Sequence, residues 1–375
     1  MKSNSNLKQS KMKKLLFFGA ISIGLMSFNN ANIVNPPKTA NANKNNTSIE
    51  VDGISLSAAG STFAGPIYKA AFSKYLSKTG VTVSYGLTGS GAGIRSLKDK
   101  VVDFCGSDAF LSDAEMKEMS PVVHIPTCSG AVDVAFNIPG VKSIKLTPAL
   151  LTKIFMGQVT NWNNPELKKI NAGVKFPDLA ITVVYRSDGS GTTAIFSDYM
   201  SKISKEWSDK IGAGKSLKWP VGMGAKGNPG VAGIIGSTSG SIGYIGSEYA
   251  EIRDISFASI QNKAGNFIAP TIEAVSAAGK SEIPADTRVM ETNSSAPKAY
   301  PISGFTWIIL YKNQDYNGRT FEQAQATLKL IDWMLNPEVQ AMAKQLNYAP
   351  LPAKVVKMAK GILRTVTYKG KVLLK

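Results

Sequence analysis

Between residues 181 and 200 a strand, a glycine turn and a helix start follow one another, an order that belongs to α/β folds. The apolar run Ile181-Thr182-Val183-Val184-Tyr185 reads as a β-strand, and Arg186 stands at its end. Ser187-Asp188-Gly189-Ser190-Gly191-Thr192-Thr193 comes next, and Ile195, Phe196, Tyr199 and Met200 then recur at helical spacing. Such a junction aims several backbone N–H groups and the positive end of a helix dipole at one spot. Glycine lets a ligand approach the backbone closely. Ser190 and Thr192 add hydroxyls and Arg186 adds a forked cation. The natural guest of this place is a small oxyanion.

The same unit recurs upstream. Ile54 to Ala58 reads as a strand, followed by the turn Ala59-Gly60-Ser61-Thr62-Phe63-Ala64-Gly65 and a helix that Pro66 opens and Gly80 ends. Val81 to Tyr85 leads into Thr88-Gly89-Ser90-Gly91-Ala92-Gly93 and a short helix from Ile94. Val101 to Phe104 leads into Gly106-Ser107-Asp108-Ala109, after which Ser112 and Glu115 form a capping-box pattern. Three β-turn-α units imply a parallel sheet with right-handed crossovers. In such sheets ligands bind beyond the carboxyl ends of strands, where Thr62, Phe63, Ser90 and Asp108 fall. Val122 to Ile138 is a long extended run suited to leaving one domain for a second, and Phe305 to Leu310 suits a return. Phe321 to Leu335 is an amphipathic helix stopped by Asn336-Pro337. Residues 261 to 299 are polar and irregular. The expected architecture is α/β with two lobes, residues 50–133 plus 300–375 and residues 134–299, each a mainly parallel sheet flanked by helices, with the ligand cleft between.

A chain of 375 residues has room for two such units. Five lysines before an apolar run from Leu15 to Phe28, with no acid before Glu50, read as a secretory signal. The run is short for a membrane span. Residues 1–42 are therefore expected to be signal and flexible leader; cleavage after Ala42 fits the A-x-A pattern, and cleavage after Ala31 fits the distance. No cysteine follows the apolar run, so no lipid anchor is expected. The formal charge of +17 includes six lysines ahead of Ala42, which leaves +11 beyond it. That charge is dispersed rather than clustered, which favours a solvated basic surface over a nucleic-acid groove. In an exported chain Cys105 and Cys128 are either a disulfide or two buried thiols.

Catalytic motifs are scarce. His124 is the single histidine and sits in the β-like run Val122-Val123-His124-Ile125, so a serine hydrolase lacks its base. Neither glycine turn reads G-x-S-x-G. With one histidine and no Cys/His cluster, a zinc or two-metal phosphatase is disfavoured and no metal site is expected. Gly89-Ser90-Gly91-Ala92-Gly93 falls short of the full dinucleotide fingerprint.

Four motifs in this order carry a resemblance: Ala59 to Tyr68, Gly89 to Gly93, Val102-Asp103-Phe104-Cys105-Gly106-Ser107-Asp108-Ala109, and Arg186 to Thr192. With Lys218-Trp219-Pro220-Val221-Gly222 and Tyr348-Ala349-Pro350-Leu351-Pro352, they resemble the phosphate-binding proteins of Pst-type ABC importers. Ser61 and Ala64 vary the first loop, and Cys105 replaces a small residue. The resemblance implies a type II periplasmic-binding fold closing on inorganic phosphate, with Thr62, Phe63 (through its backbone), Ser90, Asp108, Arg186, Ser190, Gly191 and Thr192 around the ion. Asp188 is expected to hold the Arg186 guanidinium. Asp108 is expected to accept a proton from phosphate and to repel sulfate, which has none. The implied partners are phosphate and ABC permease subunits at the inner membrane. The implied protein is a periplasmic monomer without cofactor, catalysis or nucleic-acid partner. A phosphatase-like hydrolase and a binder of another oxyanion, arsenate above all, are the competing readings.

Overall fold

Hydrophobic strands separated by amphipathic helices have to bury both faces of a sheet, and this chain does so twice. The computed structural model describes residues 53–279 and 282–374. The expected signal and leader, residues 1–42, lie outside the described residues. In chain order the first elements are β1 (Ser55–Gly60), α1 (Gly65–Thr79), β2 (Thr82–Gly86), α2 (Ser90–Lys98), β3 (Phe104–Ser107) and α3 (Asp113–Lys117). The long β4 (Val122–Asn137) leads to β5 (Ile144–Leu146), α4 (Pro148–Phe155) and α5 (Pro165–Ile170). Then come β6 (Thr182–Arg186), α6 (Gly191–Ile203), α7 (Lys205–Lys210), β7 (Met223–Ala225), α8 (Gly227–Ser237), β8 (Ser241–Gly246) and α9 (Ser247–Ile252). The chain ends through β9 (Ser256–Gln261), β10 (Phe267–Ile268), α10 (Ile272–Ala278), β11 (Ser303–Tyr311), α11 (Phe321–Met334), α12 (Pro337–Gln345), α13 (Ala353–Leu363) and the hairpin β12 (Thr367–Tyr368) and β13 (Lys371–Val372).

The strand order β2-β1-β3-β11-β4-β8-β6-β7 contains two parallel halves, β2-β1-β3 and β8-β6-β7. Antiparallel β11 and β4 join them. β4 pairs with β11 through Val122 to Ala131 and with β8 from Val132 to Asn137, so one continuous strand serves both halves. It is buried from Val122 to Phe136, as expected of a strand covered on both faces. Local signals set the helix ends. Gly80 closes α1 in the left-handed region, its N–H donating to the Leu76 carbonyl, and Ser112 with Glu115 forms the capping box of α3.

Two expectations are corrected. β3 starts at Phe104, not Val101: Lys100 turns the chain at φ 57° and Val101 is exposed. The strand then continues through Gly106 to Ser107, paired with Gly60 of β1 and with Ile308 and Trp307 of β11; a β-carbon at 106 would lie 2.3 Å from Tyr85 Oη, so only glycine fits there. Of the two alternatives left open for Cys105 and Cys128, the structure has the second: both are free and buried. Cys105 faces Ile309 and Cys128 faces Thr306, so β11 runs between their strands. Two strand spacings amount to roughly 9–10 Å, beyond the ~7 Å that a disulfide spans. The segment 261–299, read as irregular, contains α10 and the short β10.

Candidate functional site

Four helices begin at one place. α1 starts just after Thr62 and Phe63, α2 starts at Ser90, α6 at Gly191 and α8 at Gly227. None of the four carries an acidic residue in its first turn. By contrast, α3, α10 and α11 have Asp113 with Glu115, Glu273 and Glu322 there. Their positive ends are thus left for an external anion.

The first loop is set by Gly60, at φ 142°, where a β-carbon would stand 2.0 Å from the Gly106 carbonyl. Ser61 N donates to that carbonyl at 2.8 Å. Phe63 is wholly buried against Gly130, and its carbonyl accepts from Tyr348 Oη at 2.5 Å. The Thr62 carbonyl accepts from Tyr249 Oη at 2.6 Å. In the second loop Gly89 N donates to the Gly60 carbonyl at 2.8 Å and Gly91 N to the Gly189 carbonyl at 2.9 Å. Ser90 is buried, and its Oγ accepts from Asp108 N at 3.3 Å.

Asp108 closes the third side. Its carboxyl is 1% exposed, and Oδ1 accepts from Ser61 Oγ at 2.5 Å and Thr306 Oγ1 at 2.9 Å. Burial pushes its pKa up to about 6, against the opposing pull of Ser61, Thr306, Arg186 and Ser90.

In the fourth loop Arg186 grips Asp188 with two prongs, Nε to Oδ1 at 2.8 Å and Nη2 to Oδ2 at 2.6 Å. Burial alone would raise the Asp188 carboxyl, but the Arg186 hydrogen bonds and charge outweigh it and hold the group below its usual range. Gly227 N also donates to Asp188 Oδ1, at 3.0 Å. Arg186 Nη1 donates to Thr192 Oγ1 at 3.3 Å. Ser190 caps α6, its Oγ accepting from Thr193 N at 3.0 Å, which leaves its hydroxyl hydrogen to donate elsewhere. Beneath α6, Tyr244 Oη accepts from Arg186 N at 3.1 Å and meets Thr193 Oγ1 at 2.7 Å. Its ring lies in a stack with Phe196 and Trp219, and Trp219 in turn stacks on Tyr185.

Thr62, Phe63, Ser90, Asp108, Arg186, Ser190, Gly191 and Thr192 are thus gathered on loops that touch one another, with Asp188 against Arg186. Five participants are not apparent from sequence. Ser61, read as a mere variation, donates to Asp108. Thr306 does the same from β11, and Tyr249 and Tyr348 anchor the first loop. A fifth, Asn228, bonds to Thr62 and Thr192. The available signal was its place in the glycine-rich stretch 222–230. His124 stands apart, accepting from Leu111 N at 3.0 Å through Nε2. Burial and then the Arg288 charge hold its pKa down to about 3, so it is a neutral packed group. With Arg186 matched by Asp188, the place offers oriented N–H and O–H donors and little net positive charge.

Residues 37–338 match the PBP superfamily domain. The phosphate-binding protein PstS of Haemophilus influenzae is 37% identical over 316 residues, covering 83% of this chain and 93% of that protein. The chain belongs to the PstS family. PstS of Pasteurella multocida is 36% identical over 306 residues, 80% of this chain and 87% of its own. PstS of Methanocaldococcus jannaschii is 34% identical over 300 residues, 74% of this chain and 77% of its own. Solved structures with the same two-lobed fold include a putative phosphate ABC transporter substrate-binding protein with bound phosphate from Clostridium perfringens. Its TM-score is 0.59 at 20% identity, over 80% of this chain and 100% of that one. The PstS family is one of solute-binding proteins of ABC importers, not of enzymes, and PstS-type proteins are periplasmic. Among the described residues no helix is long and apolar enough to cross a membrane.

Proposed function

We propose that this chain captures inorganic phosphate outside the cytoplasm and delivers it to ABC permease subunits at the inner membrane for import. The lobes that close on the ion are residues 50–133 with 300–375, and residues 134–299. Thr62, Ser90, Arg186, Ser190 and Thr192 donate through side chains, and Phe63 and Gly191 through backbone N–H groups. The protein works as a monomer and needs no cofactor, metal or catalytic step.

Asp108 carries the reading. A buried carboxylate in a ring of donors repels a fully deprotonated anion and welcomes one that brings a proton. With Oδ1 engaged by Ser61 and Thr306, Oδ2 accepts the phosphate proton. Calorimetric titration with phosphate, arsenate and sulfate tests this. Phosphate and arsenate are expected to bind and sulfate to give no heat; sulfate binding as tightly as phosphate would reject the reading. A chromogenic phosphate ester is expected to show no turnover.

A further inference from the structure

Asn228 is the second residue of α8 and is fully buried. Its Oδ1 accepts from Gly246 N at 3.1 Å, and since that partner can only donate, the amide orientation is set. Its Nδ2 donates to Thr62 Oγ1 at 3.0 Å and to Thr192 Oγ1 at 3.1 Å, and its backbone N donates to Thr62 Oγ1 at 3.1 Å. A hydroxyl oxygen offers two lone pairs and one hydrogen. Both lone pairs of Thr62 are taken by Asn228. Those of Thr192 are taken by Asn228 and by Arg186 Nη1. Each hydroxyl is left with its hydrogen alone. Among the described residues neither donates that hydrogen to a protein acceptor.

We propose that Asn228 is a positioning residue that makes Thr62 and Thr192 obligate donors to the bound oxyanion. This inference rests on the phosphate reading and deepens it. Two hydroxyls that can only donate cannot accept the ligand's own proton, so that proton is left to the oxygen facing Asp108. One amide thereby sets which way round phosphate is protonated in the site. Because the same amide joins the loop after β1 to the loop after β6, it exerts this control only when the two loops meet.

A double-mutant cycle tests it, with phosphate affinity measured by calorimetry for the wild type, Asn228→Ala, Thr62→Val with Thr192→Val, and the triple variant. Loss of two aimed donors predicts an affinity about 10- to 100-fold weaker for Asn228→Ala in the wild-type background. In the valine background, where no hydroxyl remains to be aimed, the further loss is expected to be below about threefold. An equal loss in both backgrounds would assign Asn228 to holding Gly246 and overturn the proposal. Wild-type protein that fails to bind phosphate would overturn the functional reading instead. Should Asn228→Ala not fold, the near-isosteric Asn228→Asp decides. When ionised, the introduced carboxylate takes the threonine hydrogens for itself, whereas its protonated form restores a donor. The variant-to-wild-type affinity ratio is then expected to rise as pH falls from 7.5 to 5. Arg186, Asp188, Asp108, Glu248 and Tyr249, the ionisable groups on the surrounding elements, are shared by both proteins and cancel in that ratio. A flat ratio overturns the proposal.

Discussion

Gly191 lies flush against Asp108: a β-carbon at position 191 would stand 2.7 Å from both N and Cβ of Asp108, and 2.5 Å from Ser90 Oγ. The serine hydroxyl can rotate away, but the backbone nitrogen cannot. Gly191 opens α6 with an ordinary helical φ, so alanine fits the backbone and offends only the opposing loop. Gly191→Ala is therefore expected to weaken phosphate binding about 10- to 100-fold. Relieving that overlap costs the fold about 1–3 kcal/mol, so its melting temperature should fall by a few degrees without loss of folding. Unchanged calorimetric affinity would show that the two loops need not approach this closely for binding.

Lys215 Nζ reaches Glu115 Oε1 at 2.6 Å, while the Lys215 carbonyl accepts from Ser190 N at 2.8 Å. One residue thus ties the anion turn to the capped end of α3. Both side chains are partly exposed, so the pair is worth about 0.5–1 kcal/mol. Lys215→Met and Glu115→Gln are each expected to speed phosphate release two- to fivefold, by roughly that free energy. The double variant should release no faster than the worse single one. Stopped-flow measurements at rising salt should shrink the difference, since exposed charges are screened.

With its pKa pushed up to about 6, Asp108 is a carboxylate at pH 7.5 and largely protonated at pH 5. The protonated acid donates rather than repels, so sulfate exclusion should fail on acidification. Competition assays are expected to show sulfate gaining on the order of tenfold between pH 7.5 and 5, the worth of one restored hydrogen bond. Asp108→Asn should accept sulfate equally at both values. A wild-type sulfate affinity that ignores pH would remove Asp108 from the discriminating role.

Glu291 is buried, with Oε2 accepting from Ser129 Oγ at 2.6 Å and Oε1 without a hydrogen-bond partner among the described residues. Burial pushes its pKa up to about 7. The folded state therefore holds a proton that the unfolded chain releases near pH 4.5. The resulting stability is complete below that point and is lost as pH rises through about 7. Glu291→Gln is expected to raise the melting temperature by about 2–5 °C at pH 8 and to leave it unchanged at pH 4. Parallel scans at the two pH values check this, and an equal shift at both would point to packing instead of charge.

What the chain discloses on reading is whatever depends on neighbours in sequence. The turn at 186–193 is legible because strand, glycines and helix adjoin, and the α3 cap because Ser112 and Glu115 are three apart. Contacts made at long range are not legible. Asn228 acts on Thr62 from 166 positions away, and its place in a glycine-rich stretch names neither that partner nor that role. Sequence could not choose between a bridge and two thiols for Cys105 and Cys128, because β11, which lies between their strands, comes about 200 residues later. β3 ran past its expected end because β11, about 200 residues on, pairs with it as far as Ser107. Ser61, beside a recognised motif, was undervalued because its partner Asp108 lies 47 residues on.

The ring stack under α6 has a practical side. Tyr185 and Trp219 lie 5.0 Å apart between centroids, Trp219 and Tyr244 5.6 Å, and Phe196 and Tyr244 4.5 Å. Tyr244 in turn holds the Arg186 backbone. An indole coupled this closely to the anion turn is a native optical probe. A shift in that turn on loading is expected to alter the near-ultraviolet signal of Trp219, which would let occupancy be followed by light on the unlabelled protein.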